Sequence, residues 1–286
     1  MPELTVMILC GRAPRHLHVA NRLCARGGVL AIVQETGSPL SGRGLLKKLA
    51  PANVWRKGSR WLRDRPRYAR QSEARFFFGE APPALARPDL LATVPHIDHQ
   101  DVVALADRLQ PDVIAVFGTS LIRGDLLTRG RVGIFNLHGG LSPQYRGADC
   151  TFWALYNGEP DRVGCTLHRI DRGIDTGSIV AYVSPEVHEG DDELTLFWRA
   201  VRDSAEAYAE MLDRLERGEA LGQPQREKGR LYLVRQRGWA EERRLAQHMR
   251  AGLLRGVKLP PRIAWFVSTR KTETKPAPAC ATSSSP

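Results

Sequence analysis

An α/β fold built on a mostly parallel sheet is predicted by three observations. Residues 4–10, 29–33 and 113–117 are short, almost wholly apolar runs, the pattern of strands buried on both faces. A helical pattern at 16–26 lies between the first two runs, giving a β-α-β opening. Turn formers punctuate these units, among them Gly27-Gly28 after the first helix and Pro111 before the third run. With 286 residues the chain buries a core without staples. A hydrophobic content of 42% with 26% charged residues excludes a wholly disordered or collagen-like chain. No apolar run reaches 18 residues, so no membrane span is expected.

The elements follow in order. Residues 4–10 read as a first strand, 16–26 as a helix and 29–33 as a second strand. A basic stretch then interrupts the pattern. Residues 81–95 are proline-rich and read as irregular. Residues 100–110 read as a helix burying Val103, Leu105, Ala106 and Leu109. Strands follow at 113–117, 132–138, 165–170 and 179–183, the last two separated by a turn-rich loop at 171–177. The clearest helix starts at a cap supplied by Asp191 or Asp192. Its apolar positions are Leu194, Phe197, Val201, Ala205, Tyr208, Leu212 and Leu215, and it ends before Gly218. Beyond Gly222, residues 231–234 suggest a strand and 240–254 a basic amphipathic helix. The expected organisation is a catalytic domain over 1–218 with an insertion at about 40–80, a small C-terminal region over 219–270 and a disordered tail over 271–286.

The net charge of +11 is unevenly placed. Residues 40–75 carry eleven basic and two acidic side chains, a net +9, with Trp55, Trp61 and Tyr68 among the cations. Residues 226–275 carry a net +10, which leaves the rest of the chain at −8. The charge therefore bears on which partner is attracted rather than on the chemistry of the body. Five scattered cysteines without a C-x-x-C pair fit a reducing cytosol and argue against a disulfide framework. Met1-Pro2-Glu3-Leu4 offers no basic region for a secretory leader, so a cytoplasmic protein is expected. The pairs His16/His18 and His96/His99 lack a third ligand nearby, and no metal is expected.

Three segments carry candidate chemistry: residues 136–147 (NLHGGLSPQYRG), residues 164–168 (GCTLH) and Asp175-Thr176-Gly177. Asn136 and His138 are two apart on an expected strand and so share a face. They stand at the strand's C-terminal end, the edge where open parallel sheets bind ligands. Asp175 follows another strand and can reach the same edge. Together these side chains offer proton transfer and an oxyanion donor. No Ser or Cys sits in a nucleophile elbow, so the nucleophile is expected from the substrate.

In order and spacing these segments resemble the core of the folate-dependent formyltransferases, the family of the glycinamide ribonucleotide, methionyl-tRNA and amino-sugar N-formyltransferases. The resemblance implies a Rossmann-like formyltransferase domain that uses 10-formyltetrahydrofolate as co-substrate, with Asn136, His138 and Asp175 at the catalytic positions. It implies a pterin pocket formed by Ser120, Leu121 and Ile122 with Arg172 of the following loop, a substrate loop carrying Tyr145 and Arg146, and a supporting role for His168.

Two departures stand out. Gly140-Leu141-Ser142-Pro143 replaces the family's usual Ser-Leu-Leu-Pro, and no phosphate-binding glycines follow Gly11, which weighs against glycinamide ribonucleotide as acceptor. The run from Tyr145 to Glu159 looks closer to the amino-sugar enzymes, so the expected acceptor is a small anionic amine, a nucleotide-linked amino sugar first. The basic insertion keeps methionyl-tRNA as an alternative. A hydrolase releasing formate from the same folate is a second alternative, and a basic binding module with a relic site is a third.

Overall fold

The computed structural model describes residues 3–36 and 72–268, together with positions 58, 62 and 65. The rest of the expected basic insertion and the expected disordered tail lie outside the described residues.

Eight strands form one sheet in the order β10-β8-β7-β5-β4-β1-β2-β3. These are β1 (Val6–Cys10), β2 (Val29–Glu35), β3 (Leu91–Val94), β4 (Val113–Phe117), β5 (Gly133–His138), β7 (Cys165–Arg169), β8 (Ile179–Ser184) and β10 (Arg262–Trp265). From β3 to β5 all pairings are parallel; β5, β7, β8 and β10 pair antiparallel. A separate two-stranded sheet pairs β6 (Tyr145–Gly147) with β9 (Arg230–Tyr232). The predicted α/β class and mostly parallel sheet are observed.

The layers follow from the two-residue period of β1. Val6, Ile8 and Cys10 face one core, with α1 (Pro14–Arg26), α2 (Glu73–Phe78) and α5 (Glu193–Glu216) against it. Met7 and Leu9 face the other, covered by α3 (Gln100–Leu109). A third cluster joins α4 (Cys150–Tyr156) to α6 (Trp239–Arg250) through Phe152, Leu155 and Leu245.

Several expectations change. The stretch expected to be irregular, 81–95, contains β3. Its side chains alternate between exposed Leu91 and buried Val94, so its identity comes from pairing with β2 and not from an apolar run. In α3 the fully buried positions are Val102 and Ala106, while Val103, Leu105 and Leu109 are half-buried. Asp192, not Asp191, caps α5 by accepting from the Thr195 N–H at 2.8 Å. Asp191 instead pairs with Arg199 through both its oxygens. Residues 219–268, expected as a small C-terminal region, add β9, α6 and β10 and extend the main sheet beside β8. Among the described residues no helix is long and apolar enough to cross a membrane.

One side chain of α5 fixes the floor beneath the candidate residues. The Tyr208 hydroxyl, fully buried, donates to the Phe135 carbonyl at 2.7 Å and accepts from the Val116 N–H at 2.9 Å. It thereby ties β4 to β5 one residue before Asn136. Tyr208→Phe leaves both backbone groups without that partner, and should cost about 1–3 kcal/mol in urea unfolding. An unchanged midpoint would show that the bridge contributes nothing.

Candidate active site

Asn136 and His138 leave β5 at its C-terminal end, in antiparallel register with His168 and Thr166 of β7. Asp175 enters from the loop between β7 and β8 in a left-handed conformation, φ +52°. For a residue other than glycine this backbone is costly and needs support from its surroundings. Gly177 two residues on is required by space, since a Cβ there would lie 1.8 Å from the Arg169 carbonyl oxygen.

The four polar side chains form one connected cluster. Asp175 Oδ2 lies 3.4 Å from His138 Nδ1, and Asp175 Oδ1 lies 3.5 Å from His168 Nε2. The Gly147 N–H donates to Asp175 Oδ2 at 2.9 Å. Gly147 has φ +90° and a Cβ there would meet the Tyr232 carbonyl at 2.2 Å, so only glycine brings this N–H to the carboxylate.

For neutral rings, the hydrogen-bond partners select one tautomer of each imidazole. His138 Nε2 sits 2.9 Å from the Tyr145 carbonyl and must donate to it, which leaves Nδ1 with the lone pair facing Asp175. His168 Nδ1 donates to the Arg169 carbonyl at 2.7 Å, so its Nε2 accepts from Asn136 Nδ2 at 3.1 Å. With both rings neutral, the carboxylate therefore faces two imidazole lone pairs. In that state no proton lies between His138 Nδ1 and Asp175 Oδ2.

The electrostatics agree. Burial pushes the His138 pKa down, more than Asp175 raises it, so the ring is held neutral at neutral pH. Burial alone would raise the Asp175 carboxyl, but the positive charge that His138 and His168 carry when protonated, together with the Gly147 N–H, pulls it down to about 2. It remains a carboxylate throughout the neutral range.

Two cavities meet at this cluster. The larger, about 450 Å³, is lined by His138, Cys150, Thr151, Phe197, Trp198 and Arg237 among others. The smaller, about 210 Å³, is bounded by Val116, Ser120, Leu121, Ile122 and Ile170. Asn136, Asp175, Thr119 and Ile174 line both, so two of the expected trio are shared by the cavities, while His138 faces the larger alone.

The sequence-predicted residues sort as follows. Asn136, His138 and Asp175 come together, with His168 as the fourth member. Ser120, Leu121 and Ile122 line the smaller cavity as expected, and the Ser120 hydroxyl and N–H are held by Glu35 at 2.6 and 2.9 Å. Arg172 is exposed and lines neither cavity; its neighbours Gly173 and Ile174 do so instead. Tyr145 also lines neither cavity. Its ring is buried against Tyr232, and its hydroxyl donates to Glu159 at 2.5 Å. Arg146 likewise turns from the cavities, donating to the carbonyls of Ile174 at 3.3 Å and Gly229 at 3.1 Å. These two residues build the site through β6 instead of reaching into it.

Other site residues were not foreseen. Among the described residues, Glu73, Asp149, Asp175 and Glu193 line the larger cavity against Arg15 and Arg237. Arg15 is bound to Glu73 at 2.9 Å and Arg237 to Glu193 at 2.8 Å, so each cation is already paired. The Thr151 hydroxyl is buried in this wall with no protein partner. No local sequence signal marks these positions, because long-range packing assembles them.

Comparison with known proteins supports the grouping. The family model described as formyl transferase matches residues 69–212. A methionyl-tRNA formyltransferase from Caldanaerobacter subterraneus subsp. tengcongensis is 32% identical over 155 residues, 53% of this chain and 50% of that protein. The chain thus spans about half the length of this curated relative. Among solved structures, a sugar N-formyltransferase from a Shewanella species superposes with TM-score 0.54 at 16% identity, covering 86% of this chain and 87% of that one. A protein from Mycobacterium tuberculosis, described as a likely sugar N-formyltransferase, gives TM-score 0.53 at 17% identity, covering 85% of each chain. At these identities the two structures show a shared fold.

Proposed function

The chain belongs to the formyl transferase family, and from that premise we propose that it transfers a formyl group from 10-formyltetrahydrofolate to a primary amine. The observation that carries the proposal is the position of Asn136 and Asp175 in the wall shared by two cavities. Donor and acceptor can then approach the same side chains from opposite sides.

The smaller cavity suits the ring end of a folate. Val116, Leu121, Ile122 and Ile170 give it apolar faces, and the peptide groups of 119–121 and 173–174 give it a polar edge. Flat heteroaromatic rings are held by such a slot. When bound, the folate supplies the one-carbon acyl group. The chain's own residues do the rest. Asn136 Nδ2 uses one hydrogen on His168, which leaves the other for the oxygen on which negative charge develops. The His138–Asp175 pair would take up the proton that the amine loses as its nitrogen bonds to the formyl carbon, at His138 Nδ1, and would return a proton to the folate nitrogen as that nitrogen's bond to the formyl carbon breaks.

The acceptor is proposed to be an amine of a small anionic molecule, a nucleotide-linked amino sugar first. Among the described residues, acidic side chains outnumber arginines along the larger cavity, which suits the amine end of such a molecule. Residues 219–268 extend the main sheet and leave no separate nucleic-acid-binding barrel among the described residues. The 32% identity to a methionyl-tRNA formyltransferase supports aminoacyl-tRNA as the second reading.

The test is incubation with 10-formyltetrahydrofolate and an amine panel containing aminoacyl-tRNA and nucleotide-linked amino sugars, with mass detection of a formyl adduct. A formylated amino sugar, with a kcat/KM that depends weakly on salt, is expected. Formylated tRNA with a steep salt dependence would establish the second reading. Formate release at full rate without any amine would overturn transfer in favour of hydrolysis.

A further inference from the structure

The stretch matched by the family model ends at residue 212, yet Asp175 depends on residues that follow it. Gln225 is the most direct of these. Its side-chain amide donates to the Asp175 carbonyl at 2.9 Å and to the Gly177 carbonyl at 2.8 Å. Both amide hydrogens are thereby used on the loop that holds Asp175 in its left-handed conformation. Two residues earlier, Gln223 exchanges backbone hydrogen bonds with Ile179 at 2.8 and 2.9 Å, laying residues 223–225 alongside the loop's exit.

The same segment reaches the other partner of the carboxylate. Strand β9 pairs with β6, placing Tyr232 opposite Gly147, whose N–H is bound to Asp175 Oδ2. Arg146 spans the two arms, from the Ile174 carbonyl to the Gly229 carbonyl. Residues 223–232 therefore brace Asp175 from the backbone side and from the carboxylate side.

We propose that Gln225 is a positioning residue for the formyl-transfer chemistry, clamping the Asp175 loop so that the carboxylate stays against His138. The proposal rests on the function proposed above for Asp175. Gln225 also borders a separate cavity of about 270 Å³ with Tyr182, Arg226 and Phe266. Its two hydrogens are committed to the loop carbonyls, which makes it a strut and not a ligand donor there.

Gln225→Met keeps the shape and removes both donors, while Gln225→Lys restores N–H donors at similar reach. In Gln225→Met, kcat should fall about ten- to a hundredfold with KM for both substrates within about twofold, since small misplacements of a reacting group cost that much. Gln225→Lys should regain most of the loss. Independently of activity, the His138 imidazole signal of the labelled full chain, assigned with a His138→Gln variant, should titrate at lower pH in Gln225→Met, because its carboxylate neighbour has moved away. The thermal midpoint should be nearly unchanged. An unchanged kcat with an unchanged titration overturns the proposal, as does a loss that Gln225→Lys leaves unrepaired. If the wild-type chain transfers no formyl group at all, the functional reading fails, and the titration alone still decides whether Gln225 positions Asp175.

Discussion

Asp175→Asn is expected to lower kcat by about 10³-fold while changing KM for either substrate only slightly. The side chains are of equal size, and the amide oxygen can still accept from the Gly147 N–H. What changes is the demand for a proton. The carboxylate faces the lone pairs of His138 Nδ1 and His168 Nε2 at 3.4 and 3.5 Å. An amide in its place offers an N–H to one of these nitrogens, so the cluster is satisfied before the amine arrives. Proton uptake then no longer completes any hydrogen bond, and no negative charge stabilises the imidazolium. Steady-state kinetics with both substrates tests this, and a variant retaining near-full kcat would sink the assignment of Asp175.

The same substitution has a consequence for acid stability. The Asp175 carboxyl is held at about 2, below its ordinary value near 3.8. A depressed carboxyl contributes stability above the unfolded-state value, and loses it as pH falls through the folded one. The wild-type chain should therefore lose this contribution between about pH 4 and pH 2. Asp175→Asn should flatten that part of the acid-unfolding curve.

Much of this cluster is legible in the sequence, because it is carried by short spacings. Asn136 and His138 are one strand period apart, and β5 is announced by its own apolar residues. Asp175 sits in a turn whose glycine marks a close approach. The residues behind the cluster are a different matter. Gly147 is visible only as part of a motif, while its purpose is set by Tyr232, eighty-five residues away in the chain. β6 and β9 are three residues each and carry no periodicity of their own; they exist through pairing with each other. The family resemblance places Tyr145 and Arg146 in a substrate loop, whereas β6 pairing turns both away from the cavities. The long helix α5 shows the same limit in its packing. Seven apolar positions define one face, yet Leu196 is buried under the α4–α6 layer, Ala200 and Met211 against the sheet core, and Trp198 beside Phe76.

Arg237 is the extreme case of a residue that local pattern cannot find, and its loss should have the largest effect on stability. It lies in a segment of high positive charge, where any one cation looks like part of a solvated face. In the fold its side chain is only 6% exposed. It donates to both oxygens of Glu193 at 2.8 and 2.9 Å, to Asp149 at 3.0 Å and to Glu242 at 2.6 Å, and it stacks on the Phe152 ring at 4.0 Å. Burial disfavours the guanidinium's charge, and Glu193, Glu242 and Asp149 more than offset that, raising its pKa. Arg237→Met removes the cation and leaves three carboxylates sharing a poorly solvated space. Breaking a buried ion network from one side costs about 3–5 kcal/mol, which for a chain of this size lowers Tm by on the order of 10 °C. Added salt should recover little of it, because the site is shielded from mobile ions. Adding Glu193→Gln to Arg237→Met should restore part of the loss by reducing the number of unpaired charges, whereas Arg237→Lys should restore less than its charge suggests, since an ammonium cannot reproduce the planar fork on Glu193. A loss under about 1 kcal/mol in Arg237→Met would mean that the carboxylates are solvated or protonated without it. Because Asp149 lies two residues after Gly147, the same variant should also loosen the N–H that holds Asp175, so the measured stability loss should come with a fall in kcat.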